Sequence, residues 1–128
     1  MKECVIFALR SGDNVLCEWR ELDGRAQNCI PGGGIEPCDR NHGDYVLAAV
    51  RREAEEELGV TVGRTEFLGE CTSGDLRFHV ASVEDWSGTV PAVNREDQNE
   101  LRWIPRSALL AGMTFAPLRE VLERAWSR

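Results

Sequence analysis

The stretch Arg52-Glu53-Ala54-Glu55-Glu56-Glu57-Leu58-Gly59-Val60 decides how this chain is read. Glu53, Glu56 and Glu57 stand at i, i+3 and i+4, so a helix of 3.6 residues per turn carries all three within roughly 100° of arc. Like charges at that spacing oppose helix formation by about 0.2–0.5 kcal/mol per pair, and a cation among them would offset the repulsion. Glu55 points to the other side and reads as solvated. Upstream, Pro31-Gly32-Gly33-Gly34 is a backbone that a phosphate or metal ion can approach closely. The pair of features points to a helix presenting oxygen ligands to a hard divalent cation beside a diphosphate.

Working outward, Tyr45 to Leu58 has helical periodicity, with Val46, Leu47, Val50, Ala54 and Leu58 forming one apolar stripe. Asp44 is a natural N-cap and Gly59 a natural stop. Lys2 to Arg10 and Asn14 to Arg20 read as strands joined by a hairpin at Ser11-Gly12-Asp13. The charges flanking the apolar run of the first strand, and the lack of a small-residue cleavage site, argue against a signal segment. Glu21 to Arg25 reads as a loop and Asn28 to Ile30 as a short extended piece. Val60 to Thr72 and Leu76 to Val83 read as strands around a turn at Ser73-Gly74-Asp75. Asp85 to Asn99 reads as a long loop with room for a short edge strand, Leu101 to Ile104 as a strand, and Ser107 to Ala111 as one helical turn. Ala116 to Trp126 closes the pattern as an amphipathic helix.

A length of 128 residues fits one domain, 1–128, and no apolar run approaches the ~20 residues of a membrane span. The net charge of −7 argues against stable nucleic-acid binding, which depends on Lys and Arg neutralising phosphates. It does not exclude a small anionic substrate, because a bound cation inverts the local field. The cysteines Cys4, Cys17, Cys29, Cys38 and Cys71 are odd in number and form no CxxC pair, so a reduced cytoplasmic protein without a zinc site is expected, with Cys38 the most exposed. His79 sits on a strand at the surface or lining a substrate. His42 reads as solvated, and the four tryptophans read as core or loop anchors rather than a base-stacking platform.

These residues resemble the Nudix hydrolase motif, G-x₅-E-x₇-R-E-U-x-E-E-x-G-U, where U is a bulky aliphatic residue. Gly33, Asp39 and Arg52 to Val60 reproduce it with departures. Ala54 is small for its position, and the first acid is Asp39 rather than Glu. Arg40-Asn41-His42-Gly43-Asp44 looks like a five-residue insertion before the helix, which makes Asp44 a rival for the first acid. Extra length in that loop costs little entropy.

The resemblance implies an α/β/α sandwich with a mixed central sheet, the motif helix on one face and the terminal helix on the other. It implies Mg²⁺ or Mn²⁺ held by the Gly32 carbonyl with Glu53, Glu56 and Glu57, and Arg52 fixing those carboxylates. Asp39 or Asp44 would support the shell or the attacking water. Family members often draw a further acid from a loop before a late tryptophan; Glu96, Asp97 and Glu100 precede Trp103, and Glu100 or Asp97 is the candidate ligand or base. Gly32, Gly33 and Gly34 would meet the substrate phosphates. The implied activity is hydrolysis of a nucleoside diphosphate linked to another moiety, led by (d)NTP cleavage to NMP and pyrophosphate. Dinucleoside polyphosphates, ADP-ribose and nucleotide sugars are the alternatives. Some relatives mark ADP-ribose or dinucleoside polyphosphates with a proline or tyrosine beyond the motif, where this chain has Leu76 and neighbours that are neither. A silent nucleotide-sensing module is the alternative of another class, and the resemblance leaves a homodimer open.

Overall fold

The computed structural model describes residues 1–127. The first strand, β1 (Lys2–Ser11), turns back at Gly12-Asp13 into β2 (Asn14–Leu22). The chain does not loop freely between Glu21 and Arg25. Asp23 and Gly24 both have positive φ, 54° and 76°, which makes a tight hairpin into β3 (Arg25–Cys29). An Asp-Gly pair is the residue combination that such a turn favours.

β4 is the Gly32–Gly34 segment itself, an extended strand paired antiparallel with Cys4–Ile6 of β1. A 3₁₀ turn (Pro37–Asn41) leads to α1 (Tyr45–Leu58), followed by β5 (Thr61–Val62) and β6 (Thr65–Ser73) where the sequence reads as one strand. β7 (Leu76–Val83), β8 (Trp86–Ser87), β9 (Leu101–Pro105), α2 (Arg106–Gly112) and α3 (Ala116–Trp126) complete the fold.

Seven strands form one mixed sheet in the path β3-β2-β1-β7-β6, with β4 added beside β1 and β9 beside β2. The β1–β7 pairing is parallel and its neighbours are antiparallel. β5 and β8 pair separately. Alternation along β1 sends Val5, Phe7 and Leu9 to the α1 side, where they meet Val50, Ala54 and Leu58. Ala8 faces the other way with Val80, against Leu118, Val121 and Leu122 of α3. The helices therefore cover opposite faces, and the chain is an α/β/α sandwich. Ala54 is wholly buried against that first core. No described helix is long and apolar enough to cross a membrane.

α1 is framed as its sequence requires. The Asp44 carboxylate accepts the Leu47 N–H at 3.1 Å, and Gly59 ends the helix at φ 68°, where a Cβ is disfavoured. The loop ahead of β9 adds a second stop: Arg95 donates its backbone N–H to the Glu57 carbonyl at 2.7 Å and its guanidinium to the Glu55 carbonyl at 3.3 Å. This holds residues 94–98 against the end of the acidic helix.

Candidate active site

Arg52 organises the first half of the site. Its Nε and Nη2 donate to the two oxygens of Asp39 at 3.0 and 2.9 Å, and Nη2 also reaches the Gly34 carbonyl at 2.9 Å. Nη1 donates to Glu53 at 3.0 Å and to Glu56 at 3.1 Å. One guanidinium thus ties the 3₁₀ turn, β4 and two carboxylates of α1 together, a use of its fixed fork that Lys could not reproduce. The Asp39 carboxyl lies below its usual range, chiefly because Arg52 donates to it. Of the two rival acids, Asp39 is buried against Arg52 and Asp44 caps the helix. The extra residues before α1 are structured too: Arg40 pairs with Glu3 and lies over the Tyr45 ring, while His42 is exposed.

The glycines of β4 are bare for steric reasons. A Cβ on Gly32 would collide with the Val5 carbonyl, and one on Gly33 would land on the Glu53 carboxylate. The strand lies so close to the helix that Glu53 occupies the space a side chain would need.

Glu53 and Glu57 are buried, whereas Glu56 is about half-exposed and Glu55 faces solvent. Beyond Glu57 the acidic row continues onto other elements. One carboxylate oxygen each from Glu18, Glu57 and Asp97 lies within 4.8 Å of the others. Asn94, fully buried, bridges them: its Nδ2 donates to Glu18 and, at 3.0 Å, to Glu57. Its Oδ1 accepts the backbone N–H groups of Glu96 and Asp97 at 2.8 and 3.1 Å. Glu57 Oε2 is buried with no hydrogen-bond partner.

Burial, the largest cause in each case, raises the carboxyls of Glu18 and Glu53 above their usual range and pushes Glu57 up to about 8. Near the exposed end, Glu96 is raised by desolvation and by the neighbouring Glu56 charge. A partnerless carboxylate oxygen among mutually repelling acids is the environment a hard divalent cation would neutralise, so the donor set fits Mg²⁺ or Mn²⁺.

Glu100 does not join this row. Its side chain is half-exposed and takes two hydrogen bonds from Arg102, at 3.1 and 2.8 Å. The loop before β9 instead brings the exposed Asp97 to the mouth of this row, where Asn94 accepts its backbone N–H, and leaves Glu100 outside it. Glu18 and Asn94 lie outside the motif. The one signal for Glu18 is alternation: it follows Leu16 on the same face of β2, where an apolar residue is expected.

His79 is buried rather than at the surface, and it lines a second cavity, of about 290 Å³, with Val46, Val50 and Phe67. It is buried between Glu3, 2.9 Å from Nε2, and Glu70, 3.5 Å from Nδ1. Trp86 stacks on Trp103 and donates to the Arg10 carbonyl, while Trp19 and Trp126 lie under Arg102 and Arg106. A cavity of about 440 Å³ opens beside Gly32–Gly34, between β1, β3 and the start of α3. Its apolar wall includes Ile6, Phe78, Phe115 and Leu118, with Arg20, Gln27 and Asn28 at its polar side.

Comparison with known proteins gives the family and the fold. A family model described as the NUDIX domain matches residues 3–125. No individually curated protein matches the sequence. Among solved structures, the E. coli ORF135 protein superposes with a TM-score of 0.78 at 22% identity, covering 99% of this chain and 89% of that one. A MutT structure from work on Aliivibrio salmonicida and Vibrio cholerae gives 0.77 at 20% identity, covering 98% and 97%. An ADP compounds hydrolase gives 0.72 at 18% identity, covering 98% and 72%.

Proposed function

This chain belongs to the Nudix family, and from that premise we propose that it hydrolyses a nucleoside diphosphate linked to another moiety, with (d)NTP as the leading substrate class and NMP and pyrophosphate as products. The observation that carries this reading is the acidic row of α1, with a buried, unpartnered Glu57 oxygen, lying against a glycine strand that borders a nucleoside-sized cavity.

Glu53, Glu56 and Glu57, with the Gly32 carbonyl, would hold Mg²⁺ or Mn²⁺. When bound, the ion supplies charge neutralisation for diphosphate oxygens and a lowered pKa for the attacking water. The chain's own residues do the positioning. Arg52 fixes the rotamers of Glu53 and Glu56 and is in turn held by Asp39 and the Gly34 carbonyl, so none of these groups reorganises as charge develops at phosphorus. A carboxylate of the row accepts the proton that water loses as it attacks; the bridging P–O bond breaks and pyrophosphate leaves. The apolar wall around Phe78 and Phe115 would take the nucleobase and exclude water from it.

The test is a phosphate-release screen over nucleoside triphosphates, dinucleoside polyphosphates, ADP-ribose and nucleotide sugars, with Mg²⁺ and with Mn²⁺. Release of pyrophosphate from triphosphates, abolished by Glu56→Gln and by Glu57→Gln, is the expected result. Full turnover in both variants would remove the metal site from the mechanism.

A further inference from the structure

We infer that Glu18 is itself a ligand for a divalent cation, in an inner site shared with Glu57 and Asp97; the inference rests on the metal-dependent reading above and adds a β2 residue to it. Glu18 is 1% exposed on a strand inside the sheet, next to Leu16 on the same face. A buried carboxylate there needs a compensating partner. Arg20 is the nearest guanidinium, at 3.7 Å and itself nearly half-exposed, which is weak compensation. The hydrogen bond from Asn94 does not require a charge either, because a glutamine carbonyl would accept it without the desolvation cost of an anion.

Asn94 explains the arrangement. Both hydrogens of its amide are committed, one to each buried glutamate, and its carbonyl is committed to the backbone of residues 96 and 97. Each glutamate therefore keeps one oxygen off the amide. The Glu57 one is buried and partnerless, and the loop that Asn94 folds brings a carboxylate oxygen of Asp97 within 4.8 Å of one from each glutamate. Around an octahedral ion with about 2.1 Å bonds, trans oxygens stand about 4.2 Å apart and cis oxygens about 3.0 Å, and any three ligands include at least two cis pairs. The three oxygens, within 4.8 Å of one another, must draw together to close on one, and a bound cation would remove the repulsion that opposes this. Asn94 acts as a positioning residue: it sets the spacing of the ligands without being one.

Mn²⁺ binding to the full chain decides the matter, counted by electron paramagnetic resonance of the free ion in wild type, Glu18→Gln, Asp97→Asn and Glu56→Gln. Glu18→Gln and Asp97→Asn are each expected to delete one bound ion, or weaken it at least about tenfold, while Glu56→Gln retains that ion. Wild-type stoichiometry and affinity in both Glu18→Gln and Asp97→Asn would overturn the inner site and leave the proposed function standing. No Mn²⁺ bound by wild type would overturn both. Should Glu18→Gln not fold, Glu18→Leu takes its place, since an apolar side chain suits that face of β2 and removes the carboxylate; wild-type stoichiometry and affinity in it would overturn the inner site.

Discussion

Arg52 and Asp39 meet side-on, Nε and Nη2 against the two carboxylate oxygens at 3.0 and 2.9 Å, thirteen residues apart in the chain. Asp39 is almost fully buried, so the pair is shielded from solvent and its geometry is held by the 3₁₀ turn, where the Glu36 N–H adds a third hydrogen bond at 2.8 Å. Removing one partner strands the other. Arg52→Met, which leaves Asp39 buried without its cation, is expected to lower stability by about 3–5 kcal/mol in urea titrations, the range for breaking a buried pair. Arg52→Lys, which keeps the charge but not the fork, is expected to lower it by less. Turnover should fall about 10–100-fold, because Glu53 and Glu56 lose the group that orients them. An unchanged rate in Arg52→Lys would show that the carboxylates hold themselves.

Gly33 is the second test. Its missing Cβ is where the Glu53 carboxylate sits, so Gly33→Ala must displace Glu53 or β4. A drop in kcat with an intact circular-dichroism spectrum is expected. If activity survives, the contact between strand and helix is not part of the chemistry.

Glu57 sets a pH dependence. Its folded-state value of about 8 lies above the ordinary 4.5, so the metal-free folded protein binds the proton more tightly than the unfolded chain does. That contribution to stability is complete below pH 4.5 and declines as pH rises through 8. A divalent ion needs the deprotonated carboxylate, so its stabilising effect runs the other way. The gain in Tm on adding Mg²⁺ should grow between pH 6 and pH 8. In Glu57→Gln both trends should flatten, and the metal-free variant should melt no lower than wild type.

Asn94 is the hinge of the loop that closes over the end of α1. Asn94→Ala takes a shared amide donor away from two buried carboxylates and is expected to cost about 2–4 kcal/mol. Asn94→Asp would replace the donor by another acceptor and should be worse still at neutral pH. Hydrogen exchange of residues 94–98 reads out the loop directly; protection equal to wild type in Asn94→Ala would contradict this role.

Glu3 gives an acid-side counterpart. Arg40, then His79, hold its carboxyl down to about 2, with Tyr45 donating as well at 3.1 Å. A depressed value contributes stability above 4.5 that is lost as pH falls through 2. Glu3→Gln should therefore lower Tm at neutral pH, and the gap to wild type should narrow on acidification from pH 4.5 toward 2. A constant gap would mean that the ties from Arg40 and His79 do not depend on the Glu3 charge.

Much of this molecule is legible in its residues because the relevant physics is local. Capping by Asp44, termination by Gly59, the stripe along Tyr45–Leu58 and the alternation of β1 and β7 all act over a few residues, and the elements form where those patterns place them. The grouping of Glu53, Glu56 and Glu57 with Arg52 is likewise a matter of helical spacing. The Asp23-Gly24 turn was present in the sequence as well, since its residue types favour a hairpin over a loop.

Tertiary structure alone decided the rest. Which acid faces Arg52 depended on how the extra residues fold: the 3₁₀ turn buries Asp39 and leaves Asp44 to cap α1. Which loop acid reaches the row depended on the loop that the buried amide of Asn94 ties down, so the exposed Asp97 rather than Glu100 lies near Glu57. Glu18 belongs to the cluster only because β2 runs past the end of α1, bringing together residues 39 positions apart in the chain. No periodicity in the chain encodes that contact, because burial and opposing charge are properties of neighbours in space rather than in sequence.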